Sequence, residues 1–211
     1  MKRNRSDEKL RRTPSGAAVP RAELTEALYR AFFEEWADRG FSALSLERVA
    51  ARAGAGKAAI YRRFSSRLAF ADAAISALGL RLALPEAGHS TLAEDVFAFL
   101  LQIRAVLRHP LVRRILPDLH AEAARSPEMR AINSRLAKAR RDRADALLDR
   151  AVDRGELPKG LNRELALDLL AAPIYWQMIV RSVTPTRGEL AAQGRAITAS
   201  LKTLVNEEPA N

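Results

Sequence analysis

Apolar residues along most of this chain return at steps of three and four, and no stretch alternates long enough to read as a half-buried strand. The first series, Leu24, Leu28, Ala31, Phe32 and Trp36, predicts an amphipathic helix from about residue 21, with Gly40 suited to end it. Ser45 is an N-cap candidate for a short helix over 46–53. Gly54 breaks that helix, and a third is expected over 56–64, followed by a fourth over 67–84. After a turn at 85–90 the pattern predicts helices over 91–107 and 110–124, the second disturbed by Pro117. Ser126 and Pro127 have the chemistry of an N-cap and first-turn proline, and open a long helix to about 154. Two further helices are expected over 162–183 and 186–206. The fold class is all-α with about nine helices: a three-helix unit over 21–66 followed by a six-helix unit over 67–206. Residues 1–20, basic and without hydrophobic periodicity, read as a disordered arm, and 207–211 as a tail.

Charge adds direction to this outline. The 211 residues carry a formal net charge of +10, which favours a polyanionic partner, either nucleic acid or an acidic membrane surface. Residues 1–64 hold 14 Lys/Arg against 8 Asp/Glu, a net of +6, while the longer remainder has 21 against 17, a net of +4. A membrane-surface helix needs an apolar face flanked by basic residues, and the N-terminal arm has no such face. The chain has no cysteine, which excludes disulfides and thiolate metal sites. The N-terminus lacks an apolar leader, and the most apolar run, 169–180, contains Pro173 and Gln177 and is too short to span a bilayer. A cytoplasmic protein is expected, with no membrane partner.

The second and third helices, joined by Ala53, Gly54 and Ala55, have the proportions of a helix-turn-helix. Ala50 is small where the helices cross, Gly54 suits a tight turn, and Val49, Ala53 and Ile60 would seal the core between them. That leaves Lys57, Ala58, Ala59, Arg62 and Arg63 on or near the free face. Small residues at 58 and 59 let the backbone approach a major groove, where an alanine methyl packs on thymine; Arg62 and Arg63 suit phosphate or guanine. Phe64 reads as core, and Tyr61 as either core or groove-facing.

Through Gly40-Phe41, Ser45, Val49-Ala50, Ala53-Gly54, Lys57, Ile60-Tyr61, Phe64 and Ser66-Arg67, the stretch from Leu24 to Phe70 resembles the TetR family of bacterial regulators. The resemblance implies an all-helical homodimer that represses transcription at a palindromic operator and is released by a ligand in its C-terminal domain. It puts Lys57, Ala58 and Tyr61 at groove-facing positions, and Ser45, Arg63 and Arg67 where phosphate contacts are common. The family often has Val-Ser and Gly-Thr where this chain has Ala55-Gly56 and Ala58-Ala59, which removes a capping hydroxyl and a polar contact.

The same resemblance implies a dimer interface built from the last two helices, 162–183 and 186–206. The first is apolar nearly all round, with Leu165, Leu169, Ala172, Trp176 and Ile179 on one side; the second has one stripe of Leu190, Gly194, Ile197, Leu201 and Leu204. Phe97, Phe99, Ile103, His120, Tyr175, Trp176 and Met178 combine apolar bulk with a few polar tips, and are the candidates for contacting a largely apolar effector. Asp118 and Glu122, one helical turn apart, read as a solvated acidic face rather than a cation site. No cofactor, metal centre or catalytic residue is expected: the three histidines stand in unrelated contexts, and Gly54-x-Gly56 follows a helix where a dinucleotide fingerprint needs a strand.

Overall fold

The computed structural model describes residues 21–81 and 91–205. The expected arm at 1–20, the turn at 85–90 and the tail at 207–211 lie outside them. Among the described residues there are nine α-helices and no strand, only a single bridge between Leu161 and Val205. They are α1 (Arg21–Arg39), α2 (Leu46–Arg52), α3 (Lys57–Tyr61), α4 (Arg67–Arg81), α5 (Leu92–Leu107), α6 (Pro110–Arg125), α7 (Pro127–Asp153), α8 (Arg163–Tyr175) and α9 (Arg187–Leu201). A π-helical turn, Trp176–Val180, extends α8.

The first three helices enclose an aromatic core. Phe32 meets Trp36 edge-on at 5.7 Å between centroids, Trp36 packs on Phe41 at 5.0 Å, and Phe64 stacks flat on Phe70 at 4.1 Å. Phe70 belongs to α4, so the first turns of α4 complete the core of the N-terminal unit while the rest of that helix packs on α7. Leu28, Phe32, Val49 and Ile60 are fully buried beside it. Glu35 is also buried, and its carboxylate is neutralised by Arg48 and by Arg52, whose Nη2 lies 3.3 Å from Oε2.

The larger unit packs α5 against both α8 and α9, and α6 against α7. The stripe Leu190, Gly194, Ile197 and Leu201 is buried inside one chain, facing α5. A Cβ on Gly194 would stand 3.6 Å from Leu100 Cδ1 and 3.9 Å from the Phe97 backbone, so the missing side chain serves the close α5–α9 approach. The outward face of α9 is instead small, with Ala192, Ala196 and Ala199 exposed. Pro117 leaves α6 unbroken. On α7, Arg163 reaches back from α8 to Asp145 at 2.5 Å and Asp149 at 2.6 Å, tying the two helices together.

The end of α8 departs from the expected pitch. Pro173 cannot donate a helical hydrogen bond, and a few residues later the ladder widens: Arg181 N bonds Trp176 O at 2.9 Å, five residues back. Continuing an α pitch had grouped Ile179 with Trp176. The wider turn instead leaves Ile179 half-buried and Val180 exposed.

Candidate DNA-binding surface and effector domain

Ser45 begins the unit by accepting a hydrogen bond from Arg48 N at 3.4 Å, which caps α2. Ala53 closes it, and Gly54 follows with φ +66°, in the left-handed region. Gly54 N then bonds Ala51 O at 3.1 Å and Ala55 N bonds Ala50 O at 2.8 Å, which together form a Schellman ending. That turn swings α3 across α2 over buried Ala50. Gly56 is the N-cap of α3 and supplies no side-chain hydrogen bond, as its lack of a hydroxyl requires. Only Lys57 to Tyr61 are α-helical where 56–64 was expected; Arg62 caps the helix and Phe64 has turned back into the core.

The outer surface of this unit is organised by one carboxylate. Glu47, on α2, accepts from Tyr61 Oη at 2.8 Å and from Ser45 Oγ at 2.9 Å, and pairs with Lys57 Nζ at 3.0 Å. The Tyr61 hydroxyl and then the Lys57 ammonium hold the Glu47 carboxyl down at about 2, and the carboxylate in turn raises the Tyr61 and Lys57 values. Lys57 Nζ also lies 5.6 Å from the Tyr61 ring centre. Ser45, Lys57 and Tyr61 are thus drawn together by Glu47, a residue that sequence reasoning passed over. Its spacing was a usable signal, since Glu47 stands two residues past the α2 cap.

The remaining candidates are placed differently. Ala58 and Arg62 are exposed and Ala59 half-buried. Arg63 folds back to donate to Thr25 Oγ1 at 2.7 Å. One nitrogen of Arg67 donates to the carbonyls of Phe41, Ser42 and Leu44 at 3.1, 2.6 and 3.2 Å, bracing the loop between α1 and α2.

The seven effector candidates do not converge. Phe97 faces α9, with the Arg187 guanidinium 5.3 Å from its ring centre, in a shallow groove shared with Ala93, Glu94, Ala191, Gly194 and Arg195. Phe99 and Ile103 are half-buried against the core, and Met178 is within it. Trp176 is 59% exposed on the outer face of α8. His120 and Tyr175 alone form a polar pair: Tyr175 Oη and His120 Nδ1 share a hydrogen bond of 3.0 Å between α6 and α8. Partial burial, then the nearby Arg140, lowers the His120 value.

Asp118 corrects another expectation. It is half-buried, and its Oδ2 accepts from Trp36 Nε1 at 2.6 Å and from Phe41 N at 2.8 Å. It is therefore a link from α6 to the end of α1, not part of a solvated acidic face. Glu122 pairs instead with Arg125 at 2.9 Å. Among the described residues no cluster of His, Asp and Glu side chains is arranged to hold a metal ion, and no helix is long and apolar enough to cross a membrane.

A short helix crossing a second over a Schellman turn, presented by a small aromatic core and followed by a six-helix unit, defines a helix-turn-helix transcriptional regulator. Residues 27–74 match the family described as bacterial regulatory proteins, tetR family, and residues 85–199 match the tetracyclin repressor-like C-terminal domain. The second match alone covers more than half of the chain. The chain belongs to the TetR family of DNA-binding transcriptional regulators. It is similar to an uncharacterized HTH-type transcriptional regulator of Bacillus subtilis, YdeS, with 26% identity over 166 residues, 76% of this chain and 81% of that one. Among solved structures it shares its fold with Salmonella enterica GusR, at 20% identity and a TM-score of 0.73 over 89% of this chain and 99% of that one. It also matches Pseudomonas aeruginosa MexZ, described as a key repressor responsible for antibiotic resistance, at 22% identity and TM-score 0.65, covering 88% and 99%. Bacillus subtilis FadR, solved with stearoyl-CoA, matches at 16% identity and TM-score 0.65, covering 86% and 99%.

Proposed function

We propose that this protein is a ligand-responsive repressor that binds a palindromic operator as a homodimer and leaves it when a largely apolar small molecule occupies the C-terminal domain. The observation that carries the reading is the exposed face of α3, where Lys57, Ala58, Tyr61 and Arg62 stand free of the core. Small side chains there admit close approach to base edges, while Ser45, Ala59, Arg63 and Arg67 flank them within reach of the groove walls. DNA as the partner implies a cytoplasmic setting.

Dimerisation through 162–183 and 186–206 is supported by what α8 leaves uncovered. Leu165, Trp176, Val180 and Val183 form an apolar band, 42–59% exposed, beside the small outward face of α9. A two-fold dimer is the symmetry that lets two copies of α3 meet successive major grooves of a palindrome. Of the seven effector candidates, His120 and Tyr175 are the best supported, because their paired polar tips lie between helices. Phe97, Phe99, Ile103, Trp176 and Met178 would contribute only through packing.

Selection from random-sequence duplexes, followed by fluorescence anisotropy at several salt concentrations, tests the DNA reading. A palindromic sequence should emerge, with log affinity falling linearly against log salt. Equal affinity for the selected duplex and a scrambled one would remove the specific-regulator reading.

A further inference from the structure

The loop between α1 and α2 is held by two other helices. From α4, one nitrogen of Arg67 donates to the carbonyls of Phe41, Ser42 and Leu44, and its guanidinium lies 5.6 Å from the Phe41 ring centre. From α6, Asp118 Oδ2 accepts from Phe41 N at 2.8 Å and from Trp36 Nε1 at 2.6 Å. Phe41 therefore bonds α6 through its N–H and α4 through its carbonyl. One turn earlier on α6, Arg114 lies 3.4 Å from Asp38 of α1, but both side chains are exposed, so that pair contributes little. Asp118 is half-buried and meets a buried indole, which makes it the firmer contact.

The two grips differ in what they join. Helix α4 belongs to both units: Phe70, in its first turns, stacks on Phe64 in the N-terminal core, and the rest of the helix packs on α7. A single shared helix leaves two units free to rock about it, the usual condition between units of one chain. A second attachment away from α4 fixes the angle, and Asp118 supplies it. The attachment falls where the chain enters the helix-turn-helix: α2 is capped at Ser45, four residues beyond Phe41, and α3 crosses α2 through the Gly54 turn. The angle set at Phe41 is thus carried to the face of α3.

In a two-fold dimer on a palindrome, that angle in both copies sets the separation of the two α3 faces. One base pair of spacing amounts to about 3.4 Å along the duplex and about 35° of rotation. We infer that Asp118 is a positioning residue for DNA recognition: it pins the α1–α2 loop to α6, and so restricts the protein to one spacing between half-sites. The spacing rests on the palindrome reading above, whereas the fixed joint does not.

The test uses full-length protein below the melting transition of each variant. The chain has no cysteine, so Ala51→Cys on α2 and Ala139→Cys on α7, both at exposed positions, carry spin labels without background. With labelled chain diluted into unlabelled chain, pulsed electron resonance reads the distance between the two units. Its distribution should be narrow in the parent, broader in Asp118→Ala, and close to the parent in Asp118→Asn, which keeps an acceptor. Anisotropy then compares the selected palindrome, the same half-sites set one base pair closer or farther, and a single half-site. The parent should prefer the selected spacing about tenfold or more, and Asp118→Ala by no more than about threefold. Asp118→Asn should retain most of the preference. Unchanged affinity of Asp118→Ala for the single half-site would show that the variant folds with its α3 face intact. An unbroadened distance distribution, a parental spacing preference in Asp118→Ala, or a loss of half-site affinity equal to the loss on the palindrome would each overturn the inference. If selection returns no palindrome, the operator reading and the spacing fall together, and the label distances still decide whether Asp118 fixes the joint.

Discussion

Removing the Asp118 carboxylate should loosen the protein at the join between its two units. Two donors converge on one oxygen, Trp36 Nε1 at 2.6 Å and Phe41 N at 2.8 Å, and both come from the end of α1. Gly40, between them, has φ +76°, and a Cβ there would stand 3.6 Å from Asp118 Oδ1, so the carboxylate is seated against the turn itself. In Asp118→Ala each donor loses its acceptor, at about 1–3 kcal/mol apiece. Water reaches a half-buried site, so the lower end applies, and the total is about 2–4 kcal/mol. For a chain of this size each kcal/mol lowers the melting temperature by about 2–4 °C, which gives a fall of about 4–16 °C. Asp118→Asn keeps an acceptor but loses the charge, and should cost about half as much. A local readout separates this from general damage. Trp36 is buried and Trp176 exposed, so in a Trp176→Phe background the remaining indole reports on the Asp118 bond alone. Its N–H should exchange with solvent faster in Asp118→Ala, as followed by NMR. A melting temperature within about 1 °C of the parent, or an unchanged indole exchange rate, would refute the reasoning.

Three further outcomes follow from the same geometry. Trp176→Glu places a charge in the centre of the exposed α8 band, and should convert a dimer to a monomer in sedimentation velocity and weaken operator binding by about a hundredfold or more; a dimer that persists would move the interface elsewhere. Glu47→Gln frees Lys57, so affinity for a scrambled duplex should rise at low salt and its log–log salt slope steepen by about one unit; an unchanged slope would mean that Lys57 faces away from phosphate. The Glu47 carboxyl, held at about 2 from a usual 4.5, keeps its charge until the pH falls well below 4.5. Its network therefore contributes fully above about pH 5 and is lost only toward pH 2. Between pH 5 and 8 duplex affinity should show no inflection that Glu47→Gln removes.

The helical outline was legible because local patterns and tertiary packing agree along α1 and α2: Leu28, Phe32 and Trp36, then Val49 and Ala50, are the buried residues their spacing predicts. The turn at Gly54 was legible for the same reason. What escaped depends on partners distant in sequence. The stripe on α9 was expected at a dimer face, and the seating of Gly194 on Leu100 and Phe97 places it in the core of one chain instead. The helix expected over 162–183 carried no break, and the π-turn after Pro173 that brings Val180 rather than Ile179 to the surface was not foreseen. Asp118 and Glu122 have acidic spacing in common and nothing else, because the donors that claim Asp118 lie 77 and 82 residues away.

The distribution of charge bears on how the proposed DNA-reading face of α3 would work. Of the net +6 carried by residues 1–64, residues 1–20 hold six Lys/Arg and two Asp/Glu, or +4, which leaves only +2 for the helix-turn-helix and α1. Within that unit Arg48 and Arg52 are committed to Glu35, Arg52 also to Asp38, and Lys57 to Glu47. Arg63 is turned toward Thr25, while Arg62 is exposed and makes no such pair among the described residues. A surface so largely neutralised gains little from sequence-independent phosphate attraction, which scales with the number of phosphates neutralised. On the proposed reading its affinity comes from shape and from contacts made only when base edges meet α3, with Lys57 and Tyr61 held in place beforehand by Glu47. Pre-positioning saves the entropy of ordering both side chains on binding, and a carboxylate beside the groove repels phosphate wherever the fit is poor. On this reasoning Glu47 lowers affinity for DNA in general while sharpening the choice among sequences, so a steeper salt slope and a lost preference for the selected duplex should appear together in Glu47→Gln.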